Sequence, residues 1–501
     1  MKHYLVVILF SILSCASQAQ VPDSFFARNA PGHLNGNLLL AVNGAPVFKE
    51  SFGWADWQSG ARNEAESQFN LASISKIFTS TAILQLEERG KLKLNDPLQR
   101  YLPAFPYPGI QLRHLLSHTS GLPDLELFED LIRKYPDTII SNRNIIPELM
   151  QWRKPLAFQP GNKWEYCNLG FELLAMVIEK VSGIGFSAYL DKYIFRPAGM
   201  THTYVKGKKV TSRPVTLHVY PNWYTDQYTT VDSVRRYRYT AYNCSGSVGG
   251  SDVFTTTGDL LQFDKAFFSG RLLAKALVEK ALTPVVLNNG KPYISDHMDT
   301  MQGEGTGSYG LGWEIFQQRG RGKSVGHGGF KYGIATFYFH DLDRCQTIIA
   351  FDNGPGDRFG ELITSAALLL NHQPPLTISS KKSLARTYGT LLVNEGAESA
   401  IATFAKLKSD TAHYYLSEQE MNWLGYDLMY APFQDHLSLC LETFRLNTLL
   451  FPDSFNVYDS YAEILRKSGK LKEAVMMYRE SLRLKPDNEG GKAALQEMGK
   501  L

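Results

Sequence analysis

Predicted strands at both ends of the first 370 residues, separated by a long helical stretch, limit the possible folds more than any other feature. Two apolar runs in residues 37–53 flank Asn43 and Gly44, which favour a hairpin turn because both tolerate positive φ angles. Strand patterns return in YGLGWEIF, IATFYFH and QTIIAFDN, whereas helical patterns dominate from about residue 110 to 200. This order predicts an α+β fold, in which an antiparallel sheet is flanked by helices and a helical subdomain is inserted between its strands.

The chain beyond residue 370 is organised differently. Residues 371–385 are rich in Pro, Ser and Lys, as in a linker, and the pattern after them is helical throughout. A small residue, an aromatic residue and a helix-ending proline recur with a period of 34 residues, as Cys440, Phe444 and Pro452 and again as Ala474, Tyr478 and Pro486. This period resembles tetratricopeptide repeats, although the first copy needs about three extra residues in its turn. We expect this region to pack on the main domain or to bind a partner protein.

The first residues have the composition of an export signal. Lys2 supplies the positive start, residues 4–14 form an apolar core too short to span a bilayer, and residues 17–19 form a small-x-small cleavage site. Cys15 also suggests a lipoprotein signal, but Leu13 fits such a signal poorly, so we expect export without a lipid anchor, to the periplasm or the medium. The predicted parts of the chain are a signal peptide (1–19), a main domain (25–370), a linker (371–385) and a helical tetratricopeptide-like domain (386–501).

Charge, cysteines and short motifs exclude several classes of function. The chain has 52 basic and 49 acidic residues, and a net charge of +3 argues against a nucleic-acid binder, which needs clustered Lys and Arg. The cysteines form no C-x-x-C pair, so neither a zinc knuckle nor a thioredoxin-like site is expected. Residues 322–324 lack the leading glycine of a P-loop, and no G-x-S-x-G is present. His114 and His118 have the spacing of metal ligands but no evident third ligand, so we expect no metal.

The tetrapeptide Ser-x-x-Lys occurs twice, as Ser73 to Lys76 and as Ser379 to Lys382. Ser73 is predicted to open a helix that has one apolar face and, opposite it, a polar stripe of Ser73, Lys76 and Ser80. A serine hydroxyl is a poor nucleophile unless a base lies beside it, and a lysine can act as that base when desolvation lowers its pKa. On these residues alone, Ser73 is as consistent with a helix cap as with a nucleophile.

Two further motifs supply groups that such a serine needs. Tyr166 and Asn168 precede a long amphipathic helix, where a phenol can exchange a proton with Lys76 and an amide can hold both the lysine and a substrate carbonyl. Residues 327–329, His-Gly-Gly, follow a strand, and glycines at a strand edge let a substrate backbone approach closely. The N–H group of Phe330 would then be a second donor to an oxyanion.

In this order, the motifs resemble those of the serine β-lactamase-related hydrolases, a group of class C β-lactamases, D-alanyl-D-alanine carboxypeptidases, D-aminopeptidases and esterases. The resemblance covers about residues 25–370 and extends to QLRHLLSHTSGLPD and YGLGWEI. It implies a β-lactamase/transpeptidase-like fold and no metal or organic cofactor. The three motifs are Ser73-x-x-Lys76, Tyr166-x-Asn168 and His327-Gly328-Gly329.

The resemblance also implies a role for each residue. Ser73 would form an acyl-enzyme, Lys76 and Tyr166 would exchange the proton, and Tyr166 would activate the deacylating water. Asn168 would orient Lys76 and the substrate, and the N–H groups of Ser73 and Phe330 would form the oxyanion hole. The second tetrapeptide lies in the linker, outside the resemblance.

One position departs from the pattern. Gly328 stands where penicillin-recognising members commonly carry Thr, and it has no hydroxyl to bind a β-lactam carboxylate, whereas His327 remains able to polarise Tyr166 or to meet an anionic group. We therefore expect an exported hydrolase of ester, amide or D-amino-acid peptide substrates, either small molecules or peptidoglycan-like chains. A true β-lactamase and a non-catalytic binding protein that uses the same pocket and the helical tail are the alternatives. The Tyr- and Arg-rich residues 220–242 are interpreted as a wall of the site or as a surface loop.

Overall fold

A computed structural model describes residues 23–207, 214–295, 305–318, 322–354 and 358–499. The chain forms two compact units. We call Met1–Val219 with Thr230–Ile378 the sheet unit, and Tyr220–Thr229 with Ser379–Leu501 the helical unit. The boundary after Ile378 falls inside the predicted linker. The predicted signal peptide, with Cys15, lies outside the described residues.

Most strands belong to the sheet unit. In chain order they are β1 (Gly36–Val42), β2 (Ala45–Ser51), β3 (Trp54–Asp56), β4 (Ala61–Arg62), β5 (Phe69–Asn70), β6 (Tyr204–Val205), β7 (His218–Val219), β8 (Thr229–Thr230), β9 (Val253–Thr255), β10 (Gly305–Tyr309), β11 (Glu314–Gln318), β12 (Gly322–Lys331), β13 (Ile334–Asp341) and β14 (Gln346–Asp352). The helices of this unit are α1 (23–29), α2 (Ser75–Glu88), α3 (Leu112–Leu116), α4 (Glu129–Lys134), α5 (Asn142–Trp152), α6 (Asn168–Ser182), α7 (Phe186–Leu190), α8 (Arg196–Ala198), α9 (Arg238–Ala241), α10 (Thr257–Phe268), α11 (Lys275–Ala281) and α12 (Phe359–Leu370). Within the described ranges, no single helix is long and apolar enough to cross a membrane, and one bent pair, α6 with α7 and α8, passes that test by length and composition.

Seven strands form one antiparallel sheet, in the order β10-β11-β12-β13-β14-β1-β2. The two ends of the unit meet along β1 and β14, where Leu39 lies opposite Ile349. Asn43 (φ 52°) and Gly44 (φ 71°) form the predicted turn between β1 and β2. The predicted α+β fold, an antiparallel sheet with flanking helices and a helical subdomain, is confirmed.

Both faces of this sheet are covered, which explains the continuous apolar run in β1. Leu38 and Leu40 pack in one core with Phe26 of α1 and Leu362 of α12. The alternate residues, such as Leu39, point to the opposite face and belong to the larger core that contains α2. A strand that is buried on both faces has no position at which a polar side chain reaches water.

Helix α2 lies in the larger core, and its residues 75–86 are all buried. The residues of the predicted polar stripe on this helix, Lys76 and Ser80, are therefore buried like those of its apolar face. The hydroxyls tolerate burial because backbone carbonyls accept from them: Thr79 donates to Gly249 O (2.7 Å), and Ser80 donates to Leu311 O. The helix ends at Glu88, and Gly90 follows with φ 66°, as predicted.

The described part of the helical unit contains seven helices and a short parallel pair of strands. They are β15 (Lys382–Ser383), α13 (Leu384–Glu395), α14 (Ala397–Lys408), β16 (Tyr414–Tyr415), α15 (Glu418–Met429), α16 (His436–Leu450), α17 (Phe455–Lys467), α18 (Leu471–Leu484) and α19 (Glu489–Glu497). Six residues (430–435) join α15 to α16, whereas three (468–470) join α17 to α18, which accounts for the extra residues in the first predicted repeat. The assignment to tetratricopeptide repeats stays a prediction.

Residues 220–229 pack with the helical unit although they are distant from it in sequence. The Arg386 guanidinium lies over the rings of Tyr220 and Trp223, at 3.7 and 4.3 Å from their centroids. The Trp223 ring also stacks on that of Trp423, with centroids 5.4 Å apart, and the backbone N–H of Trp223 donates to Asp427 Oδ2 (2.7 Å). The first ten residues of the predicted 220–242 loop thus belong to the helical unit, which the sequence did not indicate.

Candidate active site

Ser73 lies in a short 3-10 turn, Ala72–Ile74, immediately before α2. Ala72 has a φ of 46°, which is uncommon for a residue with a side chain, and its N–H donates to Asn70 Oδ1 (2.8 Å), which holds the sharp turn. Ser73 therefore precedes the α-helix proper, which begins at Ser75. It lines a cavity of about 1050 Å³.

Lys76 is fully buried, and its Nζ makes three polar contacts. These are with Ser73 Oγ (3.1 Å), Asn168 Oδ1 (2.8 Å) and Gly250 O (2.8 Å). Burial lowers the pKa of this amine to about 7, against the opposing effect of the Asp124 and Glu172 carboxylates. A neutral amine has two N–H groups, which suit the two carbonyl oxygens, and one lone pair, which is left to accept the Ser73 hydroxyl proton.

The orientation of the Asn168 amide is set by Asp124. The amide Nδ2 donates to Asp124 Oδ2 (2.8 Å), so its oxygen must face Lys76. Asp124 Oδ1 also accepts the backbone N–H groups of Asn168 (2.8 Å) and Leu169 (3.2 Å), which are the first of α6 and lack partners within the helix. Asp124 therefore fixes both the start of α6 and the amide that holds the lysine.

Tyr166 lies against both the serine and the lysine. Interaction with the Ser73 side chain favours ionisation of the Tyr166 hydroxyl and so opposes the effect of burial on its pKa, and Lys76 Nζ lies 4.9 Å from the centroid of the ring. The ring also packs on His118, with centroids 4.2 Å apart. Burial raises the pKa of Tyr166 strongly, so the phenol keeps its proton at neutral pH.

A series of hydrogen bonds next to Tyr166 includes two histidines. His118 Nδ1 accepts the N–H of Cys167 (3.1 Å), so in a neutral ring Nε2 carries the proton and donates to the Tyr309 hydroxyl (3.2 Å). Tyr309 then donates to His327 Nε2 (3.0 Å), and His327 Nδ1 donates to Gly328 O (2.6 Å). Burial lowers the pKa of His118 well below its usual value and that of His327 to about 3, so both rings are neutral. A neutral His327 therefore has no positive charge that could attract an anionic group of a substrate.

The two glycines of β12 have different surroundings. A Cβ at Gly329 would lie 2.4 Å from Leu71 O and 3.2 Å from Ser73 N, so β12 can pass the serine turn this closely only with glycine there. A Cβ at Gly328 would meet nothing within 4 Å. Phe330 follows Gly329 and lines the cavity, and its side chain is 73% exposed.

The structure brings the predicted site residues together. Lys76 lies beside the nucleophile candidate, and the others line the cavity: Ser73, Tyr166, Asn168, His327, Gly328, Gly329 and Phe330. Asp124, His118, Tyr309 and Glu314, whose Oε2 accepts the Gly328 N–H (3.1 Å), were not assigned from the sequence. All four lie in the segments QLRHLLSHTSGLPD and YGLGWEI. The resemblance of these two segments to the hydrolase family was the sequence signal that could have identified them.

The two histidines considered as metal ligands have separate partners. His114 Nδ1 accepts the N–H of Gln111 (3.2 Å), whereas His118 is hydrogen-bonded with Tyr309. Among the described residues, no group of three or more His, Cys, Asp or Glu side chains is placed to hold a metal ion. Residues 322–324 are the start of β12.

A serine hydroxyl beside a buried lysine, on a sheet-and-helix fold of this kind, defines a serine hydrolase. A family model described as Beta-lactamase matches residues 26–378, and the chain belongs to this family. Penicillin-binding protein 4* of Bacillus subtilis (strain 168) is 33% identical over 384 residues, which span 74% of this chain and 82% of that protein.

Solved structures show the same architecture. A penicillin binding protein from Bacillus halodurans is similar with a TM-score of 0.56 and 27% identity, covering 67% of this chain and 96% of that chain. The D-amino acid amidase from Ochrobactrum anthropi SV3 also gives a TM-score of 0.56, at 22% identity, covering 72% of this chain and 99% of that one. At this identity, the second likeness concerns the fold alone.

Proposed function

We propose that this chain is an exported hydrolase that forms an acyl-enzyme at Ser73 and cleaves ester, amide or D-amino-acid peptide substrates. The observation that carries the proposal is the 3.1 Å contact between Lys76 Nζ and Ser73 Oγ, made by an amine whose pKa burial lowers to about 7. An amine with that pKa is substantially unprotonated at neutral pH and can act as a general base.

In the first half of the reaction, Ser73 Oγ attacks the carbonyl carbon while its proton passes to Lys76 Nζ. The carbonyl oxygen becomes an oxyanion, held by the N–H groups of Ser73 and Phe330. Tyr166 donates its hydroxyl proton to the leaving group and receives the proton from Lys76. The bond between the carbonyl carbon and the leaving group breaks, and an ester of Ser73 remains.

In the second half, a water molecule attacks the acyl carbon and the ester bond to Ser73 Oγ breaks. The water proton passes through the Tyr166 hydroxyl to Lys76 and then returns to Ser73 Oγ. Tyr166 acts here as a relay, because burial raises its pKa and keeps the phenol protonated at rest. Lys76 is therefore the base that takes up the water proton, before this proton returns to Ser73 Oγ.

The substrate class is argued from Gly328. The open space beside its Cα holds no hydroxyl, which weakens recognition of a β-lactam carboxylate and favours other acyl compounds. The names of two similar proteins include one from each of these substrate classes, β-lactams and other acyl compounds. One is a penicillin-binding protein and the other is a D-amino acid amidase. Small esters, amides and peptidoglycan-like peptides are therefore the substrates to test first.

The test is labelling with a fluorophosphonate serine probe, read by intact mass. We expect one adduct on the native protein and none on Ser73→Ala. A panel of p-nitrophenyl esters, D-amino-acid amides and nitrocefin then identifies the substrate class. Native protein that folds but takes no adduct would favour the alternative of a non-catalytic binding protein.

Export is proposed from residues 1–19 alone. Mass spectrometry of the protein purified from an expressing bacterium should give an N-terminus at Gln20. A chain that keeps Met1 would contradict the proposal, and a lipid on Cys15 would establish the lipoprotein alternative. A protein partner of the helical unit stays a prediction.

A further inference from the structure

Glu172 lies in the active-site cavity and has no part in the reaction described above. It follows Asn168 by one turn of α6, so the two side chains lie on the same face of the helix. Both residues line the cavity that contains Ser73. The Glu172 residue is only 6% exposed, and its Oε2 atom is buried without a hydrogen-bond partner among the described residues.

Three other carboxylates in or beside the cavity are paired. Asp252 Oδ1 accepts from Lys331 Nζ (3.0 Å) and from Asn70 Nδ2 (2.7 Å). Asp124 and Glu314 accept backbone N–H groups, as described above. Glu172 differs from these three residues because its Oε2 atom accepts no hydrogen bond from the described residues.

Lys76 does not satisfy this oxygen. Its Nζ contacts Ser73, Asn168 and Gly250, which use its full hydrogen-bonding capacity. Burial raises the pKa of Glu172 to about 7, with Asp124 acting in the same direction, while the Ser247 hydroxyl and the Lys76 amine oppose it. A buried carboxylate with a free acceptor oxygen is unfavourable until a donor reaches it, and a cationic donor gives the strongest hydrogen bond.

We propose that Glu172 binds a primary ammonium group on the acyl part of the substrate. The enzyme would then prefer aminoacyl amides and esters to acyl compounds of the same shape that lack the amine. The inference rests on the proposed function, since the acyl carbon must sit at Ser73. A carboxylate at this position would also disfavour β-lactams, which carry a carboxylate of their own.

The test measures how well small amides protect Ser73 from the fluorophosphonate probe at pH 7.5. The cationic ligands are D-alaninamide, β-alaninamide and 4-aminobutanamide, which place the amine at increasing distance from the carbonyl. Their amine-free partners are propionamide for the first two and butanamide for the third. A charged hydrogen bond corresponds to about a 10- to 150-fold difference in binding, so at least one cationic ligand should protect at a concentration lower by about tenfold or more.

Two variants assign the effect to Glu172. In Glu172→Gln, the difference between the cationic ligand and its partner should fall to about onefold, because the amide has no charge. Glu279→Gln removes the same charge from an exposed position on α11 and should leave the difference intact.

Each other outcome overturns the inference. Native protein that labels at Ser73 but shows no preference for any cationic ligand would refute it while the proposed function stands. Equal weakening of cationic and amine-free ligands in Glu172→Gln, with a shifted pH profile of labelling, would show that Glu172 acts through Lys76 instead. If Glu172→Gln does not fold, the native comparison and Glu172→Asp decide, since a shortened side chain should reduce the preference. Native protein that never labels would remove the proposed function itself.

Discussion

The two Ser-x-x-Lys tetrapeptides of this chain have the same letters and different surroundings. Ser73 and Lys76 lie on a 3-10 turn and the first turn of α2, where residues three apart face the same way. Ser379 lies in a segment without helix, and Lys382 begins the short strand β15, where residues three apart point to opposite sides. The tetrapeptide places an amine beside a hydroxyl only when the backbone is helical.

Burial separates the two tetrapeptides as clearly as the backbone does. Lys76 is completely buried and touches Ser73 Oγ, whereas Lys382 is exposed, and Ser379 Oγ accepts the N–H of Lys381 (3.3 Å). Desolvation is what makes a lysine a base near neutral pH, so the packing around α2 contributes as much to the site as the motif does.

Ser73→Ala should abolish turnover and probe labelling, with a loss of about a million-fold in kcat, because the covalent nucleophile is gone. Ser379→Ala is the matched control and should remain within about twofold of native activity. Ester hydrolysis and intact-mass labelling measure both. An active Ser73→Ala protein together with an inactive Ser379→Ala protein would reverse the assignment.

Lys76→Arg should lower kcat/KM by about 10²- to 10⁴-fold, the usual contribution of a general base, because a guanidinium stays protonated. Lys382→Arg makes the same change in the exposed tetrapeptide and should have no measurable effect. Ester kinetics give the comparison, and thermal unfolding shows whether the larger side chain fits around α2. A folded, fully active Lys76→Arg protein would exclude Lys76 as the base.

Gly328→Thr should improve acylation by penicillins by about 10- to 150-fold, because a hydroxyl in the open space beside Gly328 can donate to a charged carboxylate. Ester turnover should change little, and the native enzyme should hydrolyse nitrocefin negligibly. Penicillin acylation is followed by intact mass and nitrocefin by absorbance. Efficient nitrocefin turnover by the native protein would restore β-lactamase as the leading activity.

The pH dependence tests the state of Lys76 directly. Its unprotonated form is the base, and burial lowers its pKa to about 7. The kcat/KM for an ester should therefore fall about tenfold per pH unit below pH 7, as the amine takes up a proton, and should level off above it. Stopped assays between pH 5 and 9 measure the profile. A flat profile across pH 7 would mean that the amine does not act as the base.

Local patterns were sufficient for part of this molecule. The turn at Asn43 and Gly44 could be predicted because its backbone preference is carried by those two residues. The burial of the polar side chains on α2 could not be predicted, because no local pattern reveals that other elements cover the whole helix and supply carbonyls such as Gly249 O. Polar residues in a helix normally indicate a solvated face, and here tertiary packing overrides that rule.

The site shows the same limit. Ser73 and Lys76 are adjacent in sequence and belong to a motif, so their proximity could be predicted. The hydrogen bond between His118 and Tyr309 joins residues 191 positions apart, and only the folded chain brings them together. Glu172 was not assigned for another reason: its spacing from Asn168 is visible in the sequence, but the missing partner of its Oε2 atom is not.

The smallest expected effect concerns the helical unit, which contains the second tetrapeptide. From the sequence, residues 386–501 are predicted to be dispensable for the chemical step, but residues 220–229 pack with that unit, so a point variant is a cleaner test than truncation. Arg386→Ala removes hydrogen bonds to Asn222 O (2.9 Å) and Thr225 O (2.8 Å), and it should destabilise the helical unit by about 1–3 kcal/mol.

Probe labelling of Arg386→Ala at Ser73 should nevertheless stay within about twofold of native, because no bond to Ser73 or Lys76 is removed. Arg483→Ala, an exposed position on α18 that pairs with Glu480, is the control and should alter neither stability nor labelling appreciably. Thermal unfolding and labelling rates are measured on the same samples. A folded Arg386→Ala protein that no longer labels would show that the helical unit takes part in the chemistry, and the contrast between the two Ser-x-x-Lys regions would then extend beyond the residues that surround each motif.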